Sequence, residues 1–170
     1  MNTFSVDMRA LEATFKHLQS KLHPDKFGAC QRKEQEASLA SSSTINQGYQ
    51  LLRSDAERAN YLLRLVFGVN SDEISSSDST GSRRRSNESL FMAEVFEMRE
   101  QIEENATDKA SLELQLQKID TDTVKVVAAL DLALKNKQAE AFEQGTVQLQ
   151  YYLKIKDELA EAIDALGEHG

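Results

Sequence analysis

Pro24 is the only proline in 170 residues, and it stands where it decides the local fold. Directly before it, Met8, Leu11, Phe15, Leu18 and Leu22 step by three and four, the spacing of one helix face. Proline lacks the N–H that would continue the helical ladder, and its ring pushes the preceding residue out of the α region. The chain must therefore leave the helix at His23 and turn. A second run, Ala37, Ala40, Ile45, Tyr49 and Leu52, again reads as a helix face. Two helices joined by a loop of this size would lie antiparallel and bury both stripes against each other. His23, Pro24 and Asp25 then occupy the tip. One imidazole and one carboxylate do not make a metal site, and no serine or cysteine nucleophile is framed by them. The tip suits recognition. Arg9, Lys16 and Lys21 lie off the apolar stripe, so the solvent face of the first helix is basic. It is either an ordinary solvated face or one that meets an acidic partner, where charge sets encounter rate and orientation.

With 40% apolar and 28% charged residues, the composition is that of a globular protein, with room for one good core or two small ones. One proline, seven glycines and long three/four-spaced runs predict an all-α chain. No stretch approaches the roughly 18 apolar residues of a membrane span. Cys30 is the single cysteine, which excludes a disulfide framework and a cysteine zinc cage. The net charge of −8 is unevenly divided. Residues 1–67 hold nine Lys/Arg against seven Asp/Glu, whereas residues 68–170 hold eleven against twenty-one. The acidic half argues against nucleic acid, which needs a concentrated basic surface. Two halves of opposite sign fit two different protein partners.

A third run, Ala56 to Leu65, closes the first unit and can start the connection to the second, with Gly68 as its stop. Residues 70–89 are serine-rich and nearly without apolar side chains, which reads as a linker. Arg83, Arg84 and Arg85 within it read as a solvated charge run. The expected organisation is 1–69, a linker over 70–89, and a helical unit over 90–170. In that last unit Phe91, Val95, Met98 and Ile102 form one stripe. Leu112, Leu116, Ile119, Val126 or Val127, Leu130 and Leu134 form a second. Phe142, Leu149, Tyr152, Leu159, Ile163 and Leu166 form a third, with Gly145 as a weak point. Turns near 106–108 and 136–138 make this an antiparallel three-helix bundle. Met92 and Phe96 each follow a core residue and stand about 100° around the helix from it. They are either the edge of a broad core face or a small protein-binding strip with an acidic rim. Tyr151 and Tyr152 are adjacent, so one of them should be partly exposed.

The His23-Pro24-Asp25 loop between two helices resembles that of J-domains, and over nearly everything except the linker the chain resembles HscB-type J-proteins of iron–sulfur cluster assembly. Besides the loop, the resemblance rests on Thr44 to Arg53, on Arg58-Ala-Asn-Tyr-Leu-Leu-Arg-Leu65 and on Phe91-Met-Ala-Glu-Val-Phe-Glu-Met-Arg-Glu100. It implies a J-domain hairpin joined to the C-terminal bundle, with no cofactor, no metal and no catalysis of its own. It implies contact with a DnaK/HscA-type chaperone through His23, Pro24, Asp25, Lys16, Lys21 and Lys26. An IscU-type scaffold would be held by Met92, Phe96, Glu97, Arg99, Glu100 and Tyr151. Family J-domains begin with a short helix I, but only six residues precede the helix that starts here at Asp7. A J-domain lacking helix I, with apolar surface left uncovered, is the expectation. The compartment implied is the mitochondrial matrix in a eukaryote and the cytoplasm otherwise. The rivals are a general J-protein for unfolded clients and a helical adaptor whose loop is accidental. Against the first, a Gly/Phe-rich region and cysteine-pair repeats are absent from this sequence.

Overall fold

Helix ends fall where a side chain or a glycine can satisfy free backbone groups. The computed structural model describes residues 3–22, 32–69 and 81–167, with side chains over 3–22, 36–69 and 89–167. The chain is all-α, with helices α1 (Met8–Leu22), α2 (Arg32–Arg53), α3 (Asp55–Phe67), α4 (Gly81–Glu104), α5 (Lys109–Lys135) and α6 (Ala139–Gly167). Asp7 opens α1 by accepting the N–H groups of Arg9 and Ala10 at 2.9 and 3.1 Å. Ser54 caps α3 and Asp108 caps α5 in the same way. Gly68 closes α3 at φ 70°, the left-handed conformation that favours glycine, with its N–H on the Arg64 carbonyl at 3.1 Å. The turns after α4 and α5 fall where the sequence predicts them.

α1 and α2 form an antiparallel pair. Phe15 stacks on Tyr49 with ring centroids 4.0 Å apart, and Gln19 donates to Asn46 at 2.6 Å. Ser42 donates to Gln19 at 3.0 Å, and Ser38 to the Leu22 carbonyl at 2.8 Å. The inner face of α2 is thus Ser38, Ser42, Ile45 and Tyr49. Ala37 and Ala40 point to solvent, and Leu52 is exposed. Serines rather than the alanines face α1 because their hydroxyls donate to Gln19 and to the open Leu22 carbonyl at the end of α1. The pair is thinly packed: α1 has no fully buried residue, and Met8, Leu18 and Leu39 are 42%, 36% and 54% exposed.

α5 and α6 make the longest contact, antiparallel, with Leu112, Ile119, Val126, Leu130 and Leu134 facing Phe142, Leu149, Tyr152 and Leu159. Ile155 and Ala133 complete that core and were not read from the sequence. Gly145 is no weak point. A Cβ there would lie 2.9 Å from Leu130 Cδ2, so the glycine makes room for the Leu130 side chain. Gly145→Val should lower stability by about 1–3 kcal/mol through overpacking, read as a lower Tm.

α3 connects the first unit to the second: Ala59 and Leu63 are buried in one cluster with the α4–α6 residues. It runs antiparallel to the first half of α6, with Phe67 5.3 Å from Phe142 and Gln150 donating to Asn60 at 2.9 Å. α4 starts at Gly81, inside the stretch read as linker. It lies parallel to the second half of α6, as Phe91 beside Tyr152 and Arg99 beside Glu158 require. The bundle is therefore an α5–α6 hairpin flanked by α3 at one end and α4 at the other.

The segment before α1 also joins this core. Phe4 is fully buried, edge-on to Phe142 at 6.2 Å. Its N–H donates to Asp131 of α5 at 2.5 Å, as does the Ser5 hydroxyl. Burial opposes the charge on Asp131, but these donors and nearby Lys135 outweigh it and hold the carboxyl below its ordinary pKa. A depressed carboxyl contributes stability that is complete above its unfolded pKa and lost as pH falls through the folded one. The strap should therefore be tight at neutral pH and loosen from roughly pH 4 downward. Amide protection at Phe4 should fall over that range, and should be low at every pH in Asp131→Ala.

Candidate partner-binding face

The α4 stripe positions this face. Phe91 and Val95 are buried, and Met98 and Ile102 pack on the same core, which fixes the rotation of the helix. Met92 and Phe96 are consequently turned outward beside α6. Met92 is half-buried and Phe96 is 67% exposed. A phenylalanine that open to water, one turn from a second apolar side chain, favours the binding strip over the broad core face. Glu97 and Glu100 are exposed and supply the acidic rim. Of the tyrosine pair, Tyr152 is buried and Tyr151 is half-buried, meeting Phe91 edge-on at 5.7 Å. Tyr151 thus keeps part of its ring at the surface of α6 beside α4.

Arg99 is placed differently from the other five. Its Nε and Nη2 donate to the two carboxylate oxygens of Glu158 at 3.1 and 2.9 Å. Such a bidentate pair fixes orientation as well as attracting. Arg99 is a strut between α4 and α6, and Glu158 is a residue of this face that the sequence reading missed. The signal would have been an acid on α6 one helical step from the Leu159 core position, which is indistinguishable from any solvated glutamate.

The second set of residues fares unevenly. His23, Pro24, Asp25 and Lys26 lie outside the described residues, as does Cys30. Lys16 is exposed, but Glu12 one turn earlier pairs with it at 2.7 Å. Lys21 is exposed on the last turn of α1, roughly 140° around the helix from Lys16. The basic surface of α1 is therefore spread over more than one face. Among the described residues, no three His, Cys, Asp or Glu side chains are grouped as a metal ion would require. No described helix is long and apolar enough to cross a membrane.

Residues 87–160, which carry the whole strip, match the HSCB C-terminal oligomerisation domain family. The fold matches the chaperone HscB from Vibrio cholerae at TM-score 0.78 and 25% identity, over 96% of this chain and 93% of that one. This chain shares the fold of the HscB chaperone and, over residues 87–160, its family's C-terminal domain. Two further co-chaperone structures share the fold at lower identity. Human co-chaperone HscB aligns at TM-score 0.76 and 21% identity, over 93% of this chain and 75% of that one. The Jac1 co-chaperone from Saccharomyces cerevisiae aligns at TM-score 0.71 and 18% identity, over 94% and 86%. In HscB-type terms α1 and α2 are the J-domain hairpin, and α4–α6 with the end of α3 form the C-terminal helical domain.

Proposed function

We propose that this chain stimulates ATP hydrolysis by a DnaK-type chaperone and delivers an IscU-type iron–sulfur scaffold to it. The observation that supports the reading is Phe96, exposed on α4 one turn from half-buried Met92, with half-buried Tyr151 on neighbouring α6. An exposed aromatic beside a half-buried apolar neighbour is the composition of a protein–protein hot spot. Glu97 and Glu100 would orient a basic rim on the scaffold. The hairpin tip, His23-Pro24-Asp25, would engage the chaperone, with Asp25 making a charge-assisted contact and Lys21 and Lys26 steering approach. Hydrolysis uses the chaperone's own groups. This chain accelerates it by binding one chaperone conformation better than the other, which is how a ligand without catalytic groups shifts such an equilibrium.

Delivery requires both partners to be held at once. Sedimentation of the chain with the scaffold, with the ATP-bound chaperone, and with both should give two binary complexes and one ternary complex. Competition between the partners would overturn delivery, and no complex with either would leave only a helical adaptor.

A further inference from the structure

Arg58 is a charged side chain only 4% exposed, and three elements meet at its guanidinium. Nε donates to the Phe4 carbonyl at 2.9 Å, in the strap that leads into α1. Nη1 donates to the Leu52 carbonyl at 2.5 Å, in the last turn of α2. Nη2 is held by the Asp55 carboxylate, and the guanidinium lies 4.6 Å from the centre of the Phe4 ring. The two chain ends of the α1–α2 hairpin thus converge on one cation. That cation belongs to α3, which is packed on α6.

We infer that Arg58 is the pin that sets the direction of the α1–α2 hairpin relative to the α4–α6 face, with Asp131 holding the strap in place for it. The hairpin has little else to fix its angle. α1 buries no residue completely, and α1 packs mainly on α2. At the other end, Ser54 breaks the helical run with an extended backbone at φ −87° and ψ 121°, a natural hinge between α2 and α3. A hinge on one strand alone would let the hairpin swing. The strap supplies the second tie: Phe4 is buried against Phe142, while Phe4 and Ser5 donate to Asp131. Only a planar fork reaches two carbonyls and a carboxylate together while stacking on a ring, so lysine is no substitute at this position. The geometry makes Arg58 and Asp131 positioning residues. Their consequence rests on the proposed function: a fixed hairpin presents its tip at a constant distance from a scaffold held on α4 and α6.

The test needs neither partner, so its failure is distinct from failure of the co-chaperone reading. In the full chain with Cys30→Ser, spin labels on Ala13→Cys of α1 and Gln117→Cys of α5 report the hairpin–bundle distance by pulsed electron resonance. Both label positions are exposed. The otherwise unchanged chain should give one narrow distribution. Asp131→Ala and, separately, Arg58→Lys should at least double its width while helicity and the Tm of the bundle stay within a few degrees. Asp131 holds the same strap from α5, so a fold lost in Arg58→Lys still leaves Asp131→Ala to decide. Distributions as narrow as the parent's in the folded variants, or a broad one in the parent, would overturn the inference.

Discussion

His23→Gln or Asp25→Asn is expected to abolish stimulation of a DnaK-type chaperone's ATPase while scaffold binding stays at the unmodified level. Proline cannot continue a helical ladder and disfavours the α region for the residue before it, so the sequence around Pro24 predicts a turn that carries both side chains. The Met92/Phe96 strip lies more than sixty residues later in the chain, on α4. The substitutions keep size and remove only charge or proton-donating capacity, so a folding defect is not expected. The measurement is steady-state hydrolysis by the chaperone, paired with calorimetric titration of the scaffold. Stimulation that survives either substitution removes the J-protein mechanism, and loss of scaffold binding along with it would show that the two sites are not separate.

Met92→Ala combined with Phe96→Ala should weaken scaffold binding about thirtyfold or more, equivalent to about 2 kcal/mol for truncated hot-spot residues. Phe96 contributes most of that, because at 67% exposure its ring is free to be buried by a partner. The same exposure predicts little loss of stability, whereas truncating a core side chain costs about 2–5 kcal/mol. Half-buried Met92 should account for whatever small fall in Tm is seen. Val95→Ala, one residue from Phe96 but buried, gives the contrast: a clear drop in Tm with scaffold affinity nearly kept. A large fall in Tm for the double variant would place the strip in the core. Arg99→Ala should lie between, since losing the Glu158 bond loosens α4 without removing a surface contact.

The helices that pack through long apolar stripes were legible in the sequence. α5 and α6 repeat their core positions over more than seven turns, so one misread residue changes nothing. Their stripes are buried as expected, and Gly68 stops α3 for the backbone reason that made it a candidate. The α4 strip was legible only as an ambiguity. Periodicity locates Met92 and Phe96 off the stripe, but how far a partner helix reaches round α4 is a tertiary fact. What stayed hidden was polar or local to one contact. Ser38 and Ser42 form an inner helix face without an apolar signal, and Arg58 and Glu158 look like any surface charges until their acceptors are in place. Phe4 stands alone, without a period to identify it, yet it is completely buried. Gly145 reads as a helix weakness because the sequence does not reveal that Leu130 crosses it.

The central claim is that one chain couples scaffold binding to chaperone hydrolysis. It is tested most directly by single-turnover ATP hydrolysis on the chaperone with four additions: buffer, the IscU-type scaffold, this chain, and both together. The account predicts a faster rate with the chain alone and a rate with both that exceeds the product of the separate effects. Phe96→Ala should remove that excess and leave the effect of the chain alone. A rate with both no greater than the separate effects combined, or no acceleration by the chain at all, would contradict it.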